Sequence, residues 1–462
     1  MSRTRRLKLP QFLVDLGQPP SAFAALVAAS VALFAVGLDP RVFSAGTANA
    51  QAALRERPQL ESLFLLAAVA EAAFLLVGGI LGDTIGRRRV LLGGLVALAL
   101  FEAGALISGD GPVFYACRIG AVAAVGLVLP VSLATVAVAY SGVTRATALG
   151  MAYAALGIGT AVAPAVLAAL SPTVGRWPSF LLAIGVISVA LVLSWRSVPK
   201  TEAPNLRRRD VYPHALWAFG LIAVVAGTIG FRAASESYVR LGLLVLGVVL
   251  LAAFLVLQRR RRGVSDDAAI DVRPTTVALF AGIVLAIAQV APMLELPLFF
   301  QIAQQYAPLV ATIAIAPFIV ATIVAGPLAG ALLTRYSPRT LIAGGLAVVG
   351  VGDLLLGQAT PSTGYLFFVL PFFAVGAGFV VGTSVRTAVI FASTPRRLPS
   401  TAAALNQSSL VVGAQVGVAG ITALVGTAAI ASFGGGLPSG AEAGAAVDAF
   451  RTFMLAIGTS EF

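Results

Sequence analysis

The chain has 462 residues, of which 59% are hydrophobic and only 11% charged, whereas a soluble globular domain carries about 25% charged residues. That excludes a soluble domain of useful size and places most of the chain in a bilayer. The single cysteine, Cys117, excludes an intramolecular disulfide framework or a cysteine metal cluster.

A transmembrane helix takes about 20 apolar residues, and the chain divides accordingly. Residues 1–19 form a basic tail with no apolar run or cleavage site close behind it, expected to lie in the cytoplasm. Residues 20–196 hold six apolar runs, at 20–47, 60–81, 90–107, 112–140, 148–170 and 178–195, which make an N-terminal six-span bundle. A basic linker and two plain spans, 213–231 and 239–257, occupy 197–262. The C-terminal bundle, 263–462, contains runs at 276–301, 308–333, 340–356, 365–390 and 401–425. Its last run, 449–458, is too short to cross and is read as an incomplete final span. The fold class expected is an all-α polytopic membrane protein, two six-helix bundles plus two inserted spans, with about fourteen spans in all.

Charge supplies the orientation. With the N-terminus inside, cytoplasmic segments collect Arg3, Arg5, Arg6, Lys8, Arg87 to Arg89, Arg145, Arg196, Lys200, Arg207 to Arg209, Arg259 to Arg262, Arg273, Arg335, Arg339, Arg396 and Arg397. Outside segments hold Arg55, Arg57, Arg176, Arg232 and Arg240. This is the positive-inside pattern. It accounts for the net charge of +12 through topology and anionic-lipid contact, so nucleic acid is not called for.

The stretch GILGDTIGRRRVL, Gly79 to Leu91, joins the second and third spans in a cationic hairpin. Its glycines permit a tight reversal and close helix approach, and Asp83 is suited to accept hydrogen bonds from a neighbouring helix N-terminus. A second copy, GALLTRYSPRTL, Gly330 to Leu341, sits between spans ten and eleven, with Thr334 in place of Asp83 and Arg339 in place of Arg88. The repeat marks two related halves, the layout from which alternating access is built.

Gly79, Leu81, Asp83, Gly86, Arg87, Arg88 and Leu91 resemble the loop motif of the major facilitator superfamily. The fourteen-span arrangement resembles that family's drug:proton antiporter group. Further likenesses are Arg118 and Pro130 in span four, RWPSF at 176–180, and the small, polar span thirteen with a central Asn406. In span five, GTAVAPAVLA keeps Gly159 and Pro164 of the group's antiporter pattern but has Ala163 before the proline. The resemblance implies the major facilitator fold in a multi-pass protein of the cell inner (plasma) membrane. It also implies a cytoplasmic latch of Gly79, Asp83, Gly86, Arg87 and Arg88, with Asp83 near the start of span thirteen around Ser400.

A transporter that uses the proton gradient, and no cofactor, needs an intramembrane carboxylate that gains and loses a proton. The candidates are Asp39, Glu71 and Glu102, with Glu71 and Glu102 placed near mid-depth. Two readings stand for these glutamates, proton carrier or permanently protonated structural acid. Arg118, Glu295, Gln301 and Asn406 are candidates for the cavity and substrate, and Asp39 and Arg118 for an ion pair. Asp353 is expected to be solvated near the outer surface, and Arg386 to snorkel from the cytoplasmic end of its span.

With one histidine and neither metal-ligand spacing nor a phosphate-binding glycine loop, an enzyme is not expected. The function expected is proton-coupled export of amphipathic or cationic small molecules. The alternatives are movement of a lipid or lipid-linked molecule or import of a solute on the same frame, and, from a different class, a non-transporting receptor or scaffold.

Overall fold

The computed structural model describes residues 20–38, 58–108, 111–174, 177–200, 208–228, 237–261 and 270–425. Every regular element among them is helical. In chain order these are α1 Pro20–Gly37, α2 Pro58–Leu81, a π-helical turn Gly82–Gly86, α3 Arg87–Ile107, α4 Pro112–Ala139, α5 Gly142–Val174 and α6 Trp177–Ser197. Next come α7 Arg208–Thr228 and α8 Ser237–Arg261, and then α9 Val272–Ile302, α10 Pro308–Ile313, α11 Ala316–Leu333, α12 Pro338–Leu356, α13 Leu366–Ser393 and α14 Pro399–Val425.

Only helices and closed barrels satisfy every backbone group in hydrocarbon, which is why apolar runs of this length become helices. Among the described residues, eight helical stretches are long and apolar enough to span, one of them the 42-residue Leu66–Ile107 that includes the turn after α2. Two shorter apolar helices, Ser21–Gly37 and Ala215–Thr228, accompany them. The incomplete last span expected at 449–458 lies outside the described residues, as does the basic tail.

Prolines at the starts of α4, α10, α12 and α14 occupy positions where no backbone donor is needed. Pro130, inside α4, is accompanied by hydroxyls bonded to nearby carbonyls, Ser132 to Val128 and Thr135 to Val131, each at 2.8 Å. Without a hydrophobic force between helices in lipid, packing depends on close backbone approach. A Cβ on Gly126 would stand 3.0 Å from the Leu75 amide nitrogen of α2, and one on Gly345 would stand 2.9 Å from the Gly378 carbonyl of α13.

One buried cluster fills α1 and α3 to α6, and another fills α9 to α13. A third lies on the seam between the bundles. There Trp217, Leu221 and Val225 of α7 pack with Ala72 and Leu76 of α2 and with Ala402, Leu405 and Val412 of α14. Helix α7 therefore touches both α2 and α14.

The two copies of the sequence repeat occupy related places. The end of α2 packs on the start of α14, where a Cβ on Gly79 would lie 2.9 Å from the Ser400 carbonyl. The end of α11 packs on the start of α5, where Gly330 faces Thr147 and a Cβ on Gly326 would lie 2.7 Å from the Gly150 carbonyl. Among the described residues the hydroxyl of Thr334, which replaces Asp83 in the second copy, bonds only back to the Ala331 carbonyl, at 2.7 Å. The carboxylate is thus a feature of one interface of the pair.

Candidate functional site: a capped helix end and a buried polar seam

The first intrahelical bond of α14 runs from the Ala402 amide to the Leu398 carbonyl at 2.9 Å, so Leu398 is its N-cap residue. A leucine side chain accepts nothing, and the amides of the first turn need acceptors from elsewhere. Asp83 supplies them. Its Oδ1 accepts from the Ser400 amide at 2.9 Å and its Oδ2 from the Thr401 amide at 2.8 Å, a bidentate cap delivered from the opposite bundle to the positive end of a helix dipole.

Local geometry brings Asp83 there. Gly82 lies against Ser400, whose Oγ would be 2.6 Å from a Cβ at that position, and Gly86 has φ +101°, a conformation that glycine adopts without strain. Arg87 acts on Asp83 through its charge, while Arg88 turns the other way and donates to the Trp195 carbonyl near the end of α6 at 2.5 Å. Burial raises the Asp83 carboxyl to about 6, against the downward pull of the Thr401 and Ser400 amides.

Farther along α14 a chain of hydrogen bonds crosses between the bundles. The Tyr153 hydroxyl of α5 accepts from Asn406 Nδ2 at 2.7 Å, donates to Gln407 Oε1 at 3.0 Å and lies 3.1 Å from Thr387 Oγ1 of α13. The Thr387 hydroxyl also lies 3.1 Å from Asn406 Oδ1. Beside them is Arg386, fully buried, with Nη1 donating to Ser409 Oγ at 3.0 Å and to the Ala278 carbonyl at 3.4 Å. On the far side of α14, the Trp217 indole donates to Ser408 Oγ at 2.7 Å, which attaches α7 to the same element.

Within the N-terminal bundle, Arg118 Nη1 of α4 and Glu102 Oε1 of α3 form a buried ion pair at 2.8 Å. The Phe180 ring centroid lies 5.8 Å from the guanidinium carbon, an additional favourable contact. Low dielectric strengthens the attraction, and losing either partner leaves a costly buried charge.

The remaining candidates are distributed unevenly. Asn406 is central to the seam. Glu71 is half-buried on α2, and Gln301 is buried but donates to the Pro297 carbonyl of its own helix at 3.0 Å, a local bond that gathers no other candidate. Asp39 and the side chain of Glu295 lie outside the described residues, and so does any pairing of Asp39 with Arg118.

Three expectations require correction. Glu102 is sixteenth of the 21 residues of α3, nearer the Ile107 end than mid-depth, because the helix begins at Arg87. Asp353 is not solvated but fully buried, since the face that carries Val349 and Gly352 packs against α13. Arg386 does not snorkel, because Ala278, Asn406 and Ser409 enclose its guanidinium. Tyr153 belongs to no motif, and its one mark in the sequence is to be the sole aromatic residue in the small-residue span 148–170.

Two helical bundles, a helix end capped across their seam and polar bonds buried between them define a membrane transporter. The chain belongs to the Major Facilitator Superfamily, whose profile matches residues 20–418. Over 359 residues it is 25% identical to the multidrug efflux pump LfrA of Mycolicibacterium smegmatis, covering 75% of this chain and 69% of that one. Over 371 residues it is 28% identical to a triacylglyceride transporter of Mycolicibacterium hassiacum, covering 76% of this chain and 67% of that one. The fold is similar to that of a POT family transporter crystallised with 5-aminolevulinic acid, with a TM-score of 0.63 and 14% identity over 96% of each chain.

Proposed function

We propose that the protein exports amphipathic or cationic small molecules across the cell membrane in exchange for protons, by alternating access. In this reading the N-terminus and the Asp83 face are cytoplasmic, and the Asp83 cap holds that face closed. Glu102, Glu71 and Asp39 are the carriers proposed for the proton, whose gradient is the energy source. The observation that carries proton coupling is the buried Glu102–Arg118 pair at 2.8 Å. Protonating Glu102 would remove its charge and free Arg118, so the pair's making and breaking ties proton occupancy to helix arrangement. Similarity to the LfrA efflux pump supports export.

The triacylglyceride transporter relative favours a second reading, in which the cargo is a lipid. The test is uptake into inside-out proteoliposomes with an acidic lumen, using ethidium in one series and a fluorescent triacylglycerol in another. Ethidium accumulation that collapses with the pH gradient supports drug export. Gradient-independent lipid movement with no ethidium uptake replaces it with the lipid reading.

A further inference from the structure

Arg118 and Arg386 are both buried guanidinium groups, but they are met differently. Arg118 faces the Glu102 carboxylate at 2.8 Å. Arg386 has only neutral acceptors, the Ser409 hydroxyl at 3.0 Å and the carbonyls of Ala278 and Asn406 at 3.4 and 3.5 Å, and its Nε has no acceptor. Among the described residues no carboxylate lies within ion-pair distance of it. A buried cation is costly unless it is paired, so its retention at this place needs a complement at some stage of the cycle.

The surroundings have the form of a site. Gly282 lies directly under the guanidinium, where a Cβ would collide with Nη1. Asn406 Nδ2 donates to the Tyr153 hydroxyl across the seam at 2.7 Å, and that hydroxyl in turn donates to Gln407 Oε1 at 3.0 Å. Separation of α5 from α14 would release both beside a guanidinium whose planar fork matches the geometry of an oxyanion.

We infer that Arg386, with Asn406 and Tyr153, binds an oxyanion group of the transported molecule once the seam opens toward the cytoplasm. This rests on the exporter reading and adds amphipathic acids and zwitterions to its cargo. The shared chemistry is a carboxylate, sulfonate or phosphate on an apolar body, whether a soluble compound or an anionic lipid.

The experiment uses the full chain in inside-out proteoliposomes with an imposed pH gradient and three probes: the anionic dye sulforhodamine B, cationic ethidium and a fluorescent phosphatidylglycerol. For R386Q we expect anionic movement to fall by at least about tenfold while ethidium movement stays within about twofold. R386K, which keeps the charge but loses the fork, is expected to fall between R386Q and wild type for the anion alone. Loss confined to sulforhodamine B marks a soluble cargo, and loss confined to phosphatidylglycerol marks a lipid one; both support the site.

Equal loss of ethidium and anion movement in R386Q and R386K would show that Arg386 is structural and overturn the inference. Unchanged movement of both anionic probes in either variant does the same. Should R386Q not insert, R386K decides the matter by the same comparison. Proton-driven ethidium movement without anion movement by wild type sinks this inference and leaves the exporter reading intact, whereas no movement of any probe sinks both.

Discussion

Asp83 and Ser400 stand 317 positions apart in the chain and 2.9 Å apart in space, carboxylate oxygen to backbone amide. Together with Thr401 this contact caps the start of α14, whose own N-cap residue, Leu398, has no side-chain acceptor to offer. A helix in one bundle is therefore completed by a side chain of the other, and separating the bundles uncaps it.

Removing that side chain should open the seam. Charge-assisted hydrogen bonds contribute about 1.5–3 kcal/mol each, so Asp83→Ala is expected to shift the closed population by more than about tenfold. Spin labels at Ile85 and Arg396 report it as a longer, broader distance distribution. An unchanged distribution would show that the cap does not hold the seam.

The cap should also respond to pH. Burial raises the docked Asp83 carboxyl from its ordinary 3.8 to about 6. Docking is therefore favoured by its protonation, and that contribution is fully present below the undocked value and lost as pH rises through about 6. The same label pair should show the closed fraction growing as the medium is acidified through about pH 6, with the response absent in Asp83→Asn. A closed fraction that grows toward alkaline pH contradicts the sign.

Glycine substitutions separate contact from composition. A Cβ on Gly82 would meet Ser400 Oγ at 2.6 Å, while one on Gly93 finds nothing within 4 Å. Gly82→Ala should mimic Asp83→Ala in the distance measurement, and Gly93→Ala should leave it within experimental error. Equal effects would remove the steric argument.

Trp217→Phe deletes the indole donor to Ser408 and leaves an aromatic ring near Phe254. A loss of about 1 kcal/mol is expected, read as a lower midpoint of thermal unfolding in detergent. No change in midpoint would place α7 outside the cooperative unit.

Much of the fold is legible in the sequence because each span must be apolar over its whole length, and because Gly79 to Leu91 concentrates turn-forming and cationic residues between two such runs. The repeat at Gly330 to Leu341 likewise announces two halves. Neighbours are harder to read. Helical spans this uniformly apolar carry little periodic signal to say which face meets another helix. Depth along a span made Arg386 look like an interfacial residue, yet its burial is decided by α9 and α14, whose residues are far from it in sequence. Glu102 and Arg118 are only 16 residues apart, and their pairing depends on the rotations of α3 and α4, which the apolar runs do not specify. Tyr153 acquires its importance only when α5 meets α13 and α14.

The central claim is that a buried carboxylate couples proton movement to substrate movement. Its most direct test is luminal pH in proteoliposomes, recorded as a substrate gradient is imposed without any initial pH difference, for wild type and Glu102→Gln. Wild type is expected to show substrate-driven proton movement, and Glu102→Gln to lose it with substrate exchange retained. Undiminished proton movement in Glu102→Gln would contradict the assignment of coupling to the Glu102–Arg118 pair, and no proton movement by a wild type that still exchanges substrate would contradict proton coupling altogether.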